Sequence, residues 1–152
     1  MPKVDDVSEV RLNLDTAVYA SGDLLCQAVE LENVCVPNYP AFIESVTLLD
    51  YDDQGGALDL IFFRANPGSL GVVNVALAIS NAQAEMVLGV VNVAAADYTD
   101  LGAQRIAQPQ FYPIKVRALD GSASIWVAGA GRSASTYASG RMLLKCGVVR
   151  VE

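Results

Sequence analysis

The chain has 152 residues, of which 53% are hydrophobic and 18% are charged, and its formal net charge is −7. This composition excludes intrinsic disorder, and the negative charge argues against a protein that binds nucleic acid or anionic membranes. The sequence contains no histidine, which excludes histidine-based catalytic triads and histidine metal ligands. A chain of this length corresponds to one domain with its own core.

Short apolar runs separated by turn residues predict an all-β domain of about eight strands. Glu9–Asp15 alternates apolar and polar residues, which predicts a half-buried strand or an edge arm. Ala57–Arg64 is apolar on both faces, so we expect it to be a central strand. The other predicted strands are Leu24–Leu31, Ala41–Asp50, Val87–Ala95, Tyr112–Leu119, Ala123–Ala128 and Arg141–Val151.

Ser80–Met86 is the only segment for which the pattern predicts a helix, because capping residues precede helix-favouring ones. A helix of two turns is marginal by itself, so we expect it to pack on the sheet. The expected architecture is a single-domain, antiparallel, jelly-roll-like β-sandwich over residues 15–152. An N-terminal arm over residues 1–14 precedes it.

The N-terminal sequence predicts no signal peptide, because it lacks an apolar stretch and a small-residue cleavage site. The most apolar stretches, Leu70–Ile79 and Met86–Ala96, are shorter than the roughly 20 residues that span a bilayer. We therefore expect a product made in the cytosol that has no membrane partner.

The sequence contains three cysteines, Cys26, Cys35 and Cys146, and an odd number argues against a disulfide framework. Each lies in an apolar run, where a free cysteine usually serves as a small buried hydrophobe. We expect three structural thiols, because no histidine is available to activate a nucleophile.

The acidic segment Asp50–Gly55 resembles the start of a calcium loop, but position 12 of the pattern is Ile61 instead of glutamate. The sequence therefore favours a solvated β-hairpin tip between Ala41–Asp50 and Ala57–Arg64. Two carboxylate pairs, Glu30 with Glu32 and Asp97 with Asp100, fall at strand ends and turns, where solvated charge is the default.

Gly129–Ser135 lacks the Gly-Lys-Ser/Thr ending of a phosphate loop and the third glycine of the dinucleotide-binding pattern. It is predicted to be a flexible hairpin or an exposed loop. Phe111, Tyr112 and Tyr137 are scattered, and Trp126 is expected to be buried or interfacial. These patterns predict no catalytic residue, no cofactor and no metal site.

Charge is distributed unevenly along the chain. Residues 1–60 hold two basic and twelve acidic residues, whereas residues 101–152 hold seven basic and two acidic residues. One interpretation is that these parts neutralise each other within one sandwich. The other is that an acidic surface of one copy meets a basic surface of the next.

Several blocks of sequence resemble those of a known family in their order and spacing. The blocks are Tyr19–Asp23, Glu44–Asp50, Ala57–Phe63 with Asn66-Pro67, Leu88–Val91, Ala96–Tyr98, Ser124–Val127, Ala134–Ala138 and Leu143–Val148. The chain resembles small virion proteins of tailed phages, which are described as capsid decoration, cement or minor structural proteins. The resemblance covers about residues 15–149.

The resemblance implies a non-enzymatic β-sandwich made in the host cytoplasm that assembles as a homo-oligomer on the outer surface of the head. Its implied partners are the major capsid protein and further copies of itself, with a trimer favoured. The alternative function is that of a tail, neck or fibre component that binds the host surface or a glycan. A β-sandwich enzyme is a third hypothesis, which would need a deep polar pocket.

Overall fold

A computed structural model describes residues 3–151 of the chain, with side chains from Asp5 to Val151. Its ten strands and one helix are β1 (Lys3–Asn13), β2 (Leu24–Leu31), β3 (Ala41–Asp50), β4 (Leu58–Phe63), α1 (Asn81–Ala84), β5 (Val87–Val93), β6 (Tyr98–Asp100), β7 (Arg105–Ala107), β8 (Ile114–Val116), β9 (Ile125–Gly131) and β10 (Arg141–Val151). A 3₁₀ turn at Ala95–Asp97 precedes β6.

The strands form two antiparallel sheets. The first sheet has the order β1-β10-β3-β7-β6, and the second has the order β2-β9-β4-β5. β8 pairs with the first three residues of β3 and β7 with the last three, so these two short strands share one position in the first sheet. With β7 and β8 counted together and the short edge strand β6 left out, each sheet has four strands, in the orders β1-β10-β3-β7/β8 and β2-β9-β4-β5, which is the arrangement of a jelly roll. The predicted antiparallel β-sandwich with one short helix is confirmed.

The main core lies between the two sheets and follows from the alternation of side chains along each strand. In β10, every second residue from Met142 to Val148 is buried, and the residues between them face outward. Leu12 of β1 is fully buried in the same core. The largest buried side chains of the core include Tyr19, Leu31, Ile43, Leu48, Leu60, Phe62 and Tyr137.

The segment 64–86, between β4 and β5, covers the outer face of the second sheet. Ile61 and Phe63 of β4 and Leu70 of the segment are buried together in a second apolar cluster. The side chain of Gln27 holds the segment in place, since it donates to the Gly71 carbonyl (2.7 Å) and accepts from the Leu70 amide (3.0 Å). β4 is therefore buried on both faces, which confirms its prediction as a central strand.

α1 lies in this covering segment and begins at Ser80, whose side chain forms a capping box with Gln83. Its four residues are all partly or fully exposed. The helix is held by the Gln83 amide, which donates to the carbonyls of Pro67 and Ser69. A helix in the predicted segment is confirmed, but it spans Asn81–Ala84 instead of Ser80–Met86, and none of its own residues is buried against the sheet.

The predicted hairpin between Ala41–Asp50 and Ala57–Arg64 is wrong. β3 belongs to the first sheet and β4 to the second, so the loop between them crosses from one layer to the other. The pattern of residues identified both strands, but it held no information about which sheet each strand would join.

Two strands at one edge escaped prediction, and several others differ in extent, among them β1, which begins at Lys3 and ends at Asn13 instead of spanning Glu9–Asp15. β6 and β7 have three residues each, which is too short for a period-two pattern. The strand predicted over Tyr112–Leu119 is reduced to β8, and the strand predicted over Ala123–Ala128 extends to Gly131 in β9.

β1 pairs in register with β10 along its whole length, from Lys3 opposite Val151 to Asn13 opposite Arg141. It lies at the edge of the first sheet and has a strand on one side only. The division into an arm over residues 1–14 and a sandwich over residues 15–152 stays a prediction. No helix within residues 3–151 has the length and apolar character needed to cross a membrane.

Candidate functional site

Three loops meet at one end of the sandwich, which we call the loop end: residues 14–23, 51–57 and 132–140. The Tyr19 amide donates to the Ser135 carbonyl (2.9 Å), and the Thr136 amide donates to the Gln54 side chain (3.1 Å). The Ser139 hydroxyl donates to the Asp52 carboxylate (2.6 Å). These contacts tie the three loops into one hydrogen-bonded network.

Asp50 organises the loop that was considered as a calcium site. It is fully buried, and its carboxylate accepts hydrogen bonds from the amides of Asp52 (2.9 Å), Gln54 (2.9 Å) and Gly55 (2.8 Å). The Asp53 carboxylate pairs with the Arg105 guanidinium (2.6 Å). The predicted solvated hairpin tip is therefore wrong, because the carboxylates of this loop are partners in intramolecular contacts.

Beneath the loop end, tyrosine side chains pack in the core. The rings of Tyr19 and Tyr137 contact edge to face, with centroids 5.9 Å apart. Burial raises the pKa of each phenol to about 12. Gly56 lies against Ser133, Ser135 and Tyr137 so closely that a β-carbon at this position would clash with all three side chains.

The three thiols are buried and free, as predicted. Burial raises the pKa of Cys26 and of Cys146 to about 12, and it also raises the pKa of Cys35. A raised pKa keeps the thiol protonated at neutral pH, and the thiolate is the nucleophilic form. These side chains therefore act as core hydrophobes.

The proposed carboxylate pairs do not form a cleft. Asp97 accepts from the Ala94 amide (2.7 Å), and Asp100 accepts from the Gly102 amide (2.7 Å), so each carboxylate stabilises its own turn. Glu30 and Glu32 are exposed on either side of the buried Leu31 at the end of β2. Among residues 3–151, no group of three acidic or cysteine side chains is placed to hold a metal ion.

The prediction of an exposed loop over Gly129–Ser135 is wrong for its first half. Gly129, Ala130 and Gly131 are buried in β9. A β-carbon at Gly129 would lie 3.1 Å from the Leu25 side chain and 3.3 Å from Cys26 Sγ. The glycine is therefore explained by close packing of β9 on β2, which a single sequence does not distinguish from a loop.

The aromatic residues have different environments. Trp126 is partly buried against the second apolar cluster, and Tyr137 is buried in the main core. Phe111 packs against the main core, whereas the neighbouring Tyr112 is 94% exposed. The aromatics thus form no shared binding face.

The two parts of the chain with opposite charge meet within one molecule. Three ion pairs join residues 1–60 to residues 101–152: Asp6 with Arg150 (2.9 Å), Asp53 with Arg105 (2.6 Å) and Asp59 with Arg132 (2.7 Å). These pairs support the interpretation of intramolecular neutralisation. Exposed pairs of this kind contribute little stability individually.

The outer face of the first sheet carries a row of partly exposed apolar side chains that sequence reasoning missed. Leu143 of β10 lies opposite Leu49 of β3, and Leu49 lies opposite Ile106 of β7. Their neighbours Leu144, Leu48 and Ala107 are buried inward, so the three residues point outward. We call Leu143, Leu49 and Ile106 the outer strip. Successive apolar residues in β3 and β10 indicate that each strand has an outward-facing leucine, but only the register of the strands brings the three side chains together.

Outside the outer strip, the same face carries charge. Lys145 of β10 lies opposite Glu9 of β1, in the row of residue pairs next to the outer strip. Phe42 of β3 lies between Val149 of β10 and Lys115 of β8. The outer strip and Phe42 belong to neither buried cluster, whereas the corresponding face of the second sheet is covered by residues 64–86. The sandwich thus has one covered face and one open face.

No protein-family model matches the chain, and no curated protein matches it in sequence. Among solved structures, it is similar to the VP2 subviral particle of infectious bursal disease virus, with 12% identity and a TM-score of 0.37. That match covers 95% of this chain but 32% of the other, so the chain spans about a third of the length of that protein.

A second similar structure is that of Turnip Yellow Mosaic Virus, with 9% identity and a TM-score of 0.28. This match covers 98% of the chain and 93% of the other chain. Both neighbours are proteins of virus particles. At TM-scores this low, they carry no argument about function, and the assignment of the fold rests on the strand order.

Proposed function

We propose that the chain is a non-enzymatic virion structural protein of the capsid decoration type. It binds the outer surface of a phage head and stabilises the shell by bridging neighbouring subunits of the major capsid protein. The proposal includes assembly with further copies of itself, with a trimer favoured. Fold alone does not determine function, so the support comes from the surface of the sandwich and from the sequence resemblance.

The observation that carries the proposal is the difference between the two outer faces. Residues 64–86 bury the outer face of the second sheet, whereas Leu49, Ile106 and Leu143 remain partly exposed on the first. Apolar side chains aligned in one row across three strands are suited to a flat protein partner. We propose that this open face lies against the capsid shell.

Charged side chains around the outer strip would set the orientation of binding. Glu9 and Lys145 flank the strip in the next row, and Arg11 lies opposite Leu143. Charge complementarity of this kind fixes register and partner choice more than affinity. We also propose that residues 1–14 serve as an arm toward a neighbour, because the second edge of β1 has no strand beside it within residues 3–151.

The test is cosedimentation of the purified chain with empty phage heads that were assembled without it. We expect saturable binding, and we expect the double variant Leu49→Ser with Leu143→Ser to bind at least about tenfold more weakly. Loss of two apolar contacts in the centre of an interface has an effect of this size. Thermal unfolding of the same variant establishes that it is folded.

The matched control is Leu101→Ser, because Leu101 is also an exposed leucine (54%) but lies in the β6–β7 turn. We expect this variant to bind heads like the unmodified chain. Absence of binding to heads would contradict the decoration role. Binding to a glycan array in that case would favour a tail, neck or fibre component instead.

A further inference from the structure

The loop between β7 and β8 presents an aromatic side chain to solvent. Tyr112 is 94% exposed, although the preceding Phe111 packs against the main core. Pro109 and Pro113 lie on either side of this pair and restrict the backbone conformations of the loop. Because tyrosine loses little conformational freedom when bound and is enriched in interfaces, a rigidly presented ring is suited to insertion into a partner.

A groove of about 520 Å³ lies beyond the other end of β8. Its lining residues are Arg64, Leu88, Arg117, Ala118, Leu119 and Asp120. Leu88 and Leu119 supply apolar surface, and Leu119 is 47% exposed. This groove and Tyr112 thus flank the same three-residue strand.

The groove has the chemistry that a tyrosine ring requires. Guanidinium groups stack on aromatic faces, and the two leucines provide apolar contacts for the ring edge. Arg117 pairs with Asp120 at 3.5 Å, and both side chains are mainly exposed. Arg64 forms no ion pair with any residue of the described part of the chain. A phenol hydroxyl could also donate to the Asp120 carboxylate.

The groove is not filled by the tyrosine of its own chain, because that ring is almost wholly exposed. Tyr112 and Arg117 are five residues apart, which is roughly 16 Å along an extended strand. Tyr112 can therefore enter a groove of this kind only on another molecule. The second copy of this chain supplies one on the same edge of the sandwich.

We propose that Tyr112 of one copy inserts into the groove between Arg64, Leu88 and Leu119 of a second copy. The two surfaces are different patches of the chain, so the contact closes either around a three-fold axis or reciprocally across a two-fold axis. This inference identifies the interface for the self-association that the proposed function includes, and it rests on that part of the proposal.

The experiment measures molar mass by light scattering and the dissociation constant by sedimentation velocity, on the purified chain without phage heads. We expect a dimer or a trimer for the unmodified chain and for Tyr112→Phe, which keeps the ring. We expect Tyr112→Ser to weaken association at least about thirtyfold, the effect of losing an interface hot spot. Because Tyr112 is exposed, this substitution leaves the fold intact.

Leu119→Ser tests the groove from the other side, and Leu101→Ser is the matched control, since these leucines are 47% and 54% exposed. We expect Leu119→Ser to weaken association and Leu101→Ser to leave it unchanged. A monomeric unmodified chain overturns the inference, as does an oligomer that Tyr112→Ser leaves intact. Because no heads are present, failure to associate is a separate result from failure to bind a capsid.

Discussion

The carboxylate of Asp50 fixes the path of the chain from one sheet to the other. It accepts hydrogen bonds from three backbone amides of the loop that connects the two sheets. Hydrogen bonds to a charged acceptor contribute more stability than those between neutral groups. The residue is therefore structural, although the acidic residues beside it make the segment resemble the start of a calcium-binding loop.

We predict that Asp50→Ala lowers the free energy of unfolding by about 3 kcal/mol, because three amides lose a charged acceptor. Asp50→Asn retains one acceptor oxygen and is expected to have a smaller effect. Urea denaturation measures both values, with Asp120→Ala as the control, since the Asp120 side chain is 88% exposed. Equal stability of Asp50→Ala and the control would contradict the assigned role.

At the residue scale, the sequence predicted the environment of a side chain correctly where that residue type is usually found in one environment. The three cysteines lie in apolar runs, and all are buried. It failed at Asp50 and Gly129, because an aspartate or a glycine is common both in loops and in tightly packed interiors. Only the neighbours in space, such as Leu25 beside Gly129, decide between these environments.

At the scale of elements, β2, β3 and β10 have the predicted bounds, and the alternation of buried and exposed residues is clearest in β10. No strand period in the sequence predicted the covering segment 64–86. It contains one helix of four residues, and its main role is to bury Leu70 and its apolar neighbours against Ile61 and Phe63. The sequence indicated the covering segment only indirectly, because both faces of β4 are apolar and therefore both need to be covered.

We predict that Gln27→Ala releases the covering segment, because the Gln27 side chain makes two hydrogen bonds to its backbone. Limited proteolysis should then cut within residues 64–86 several times faster than in the unmodified chain. Gln110→Ala serves as the control, since Gln110 is exposed in another loop. Unchanged cleavage would contradict this role and would leave the segment held by its apolar contacts and by the backbone hydrogen bonds of Asn74 and Val75 to Leu24.

For the whole molecule, buried thiols and phenols make stability depend on alkaline pH. The pKa of Cys26 and Cys146 rises from 9.0 to about 12, and that of Tyr19 and Tyr137 rises from 10.0 to about 12. At a pH between the ordinary pKa and the raised pKa, these groups have lost their protons in the unfolded chain but keep them in the folded chain. The unfolded state binds fewer protons, so stability falls as pH rises.

We predict that the free energy of unfolding is nearly constant from pH 7 to 8 and then declines above pH 9. Each group that titrates only in the unfolded chain adds a slope of about 1.4 kcal/mol per pH unit. Urea denaturation at several pH values measures the slope, and Cys146→Ala should reduce it by the share of one group. A flat profile up to pH 10.5 would contradict the burial of these side chains.

The fold class could be predicted from short apolar runs and frequent turns, but the candidate surfaces could not. The outer strip depends on the register of β10, β3 and β7, which places Leu143, Leu49 and Ile106 side by side. These residues are far apart in sequence, and β7 is too short to recognise. Pairing over such distances is determined by the whole sandwich.

The position of β10 has a consequence for the order of folding. β10, the last strand in the described part of the chain, lies between β1 and β3, so neither can complete its pairing until Arg141–Val151 has left the ribosome. Pairing between distant segments is slow, and unpaired strand edges are prone to aggregation in the meantime. Once the first 140 residues have been synthesised, β1 and β3 therefore still lack the same partner, and the first sheet is completed only after Arg141–Val151 has emerged.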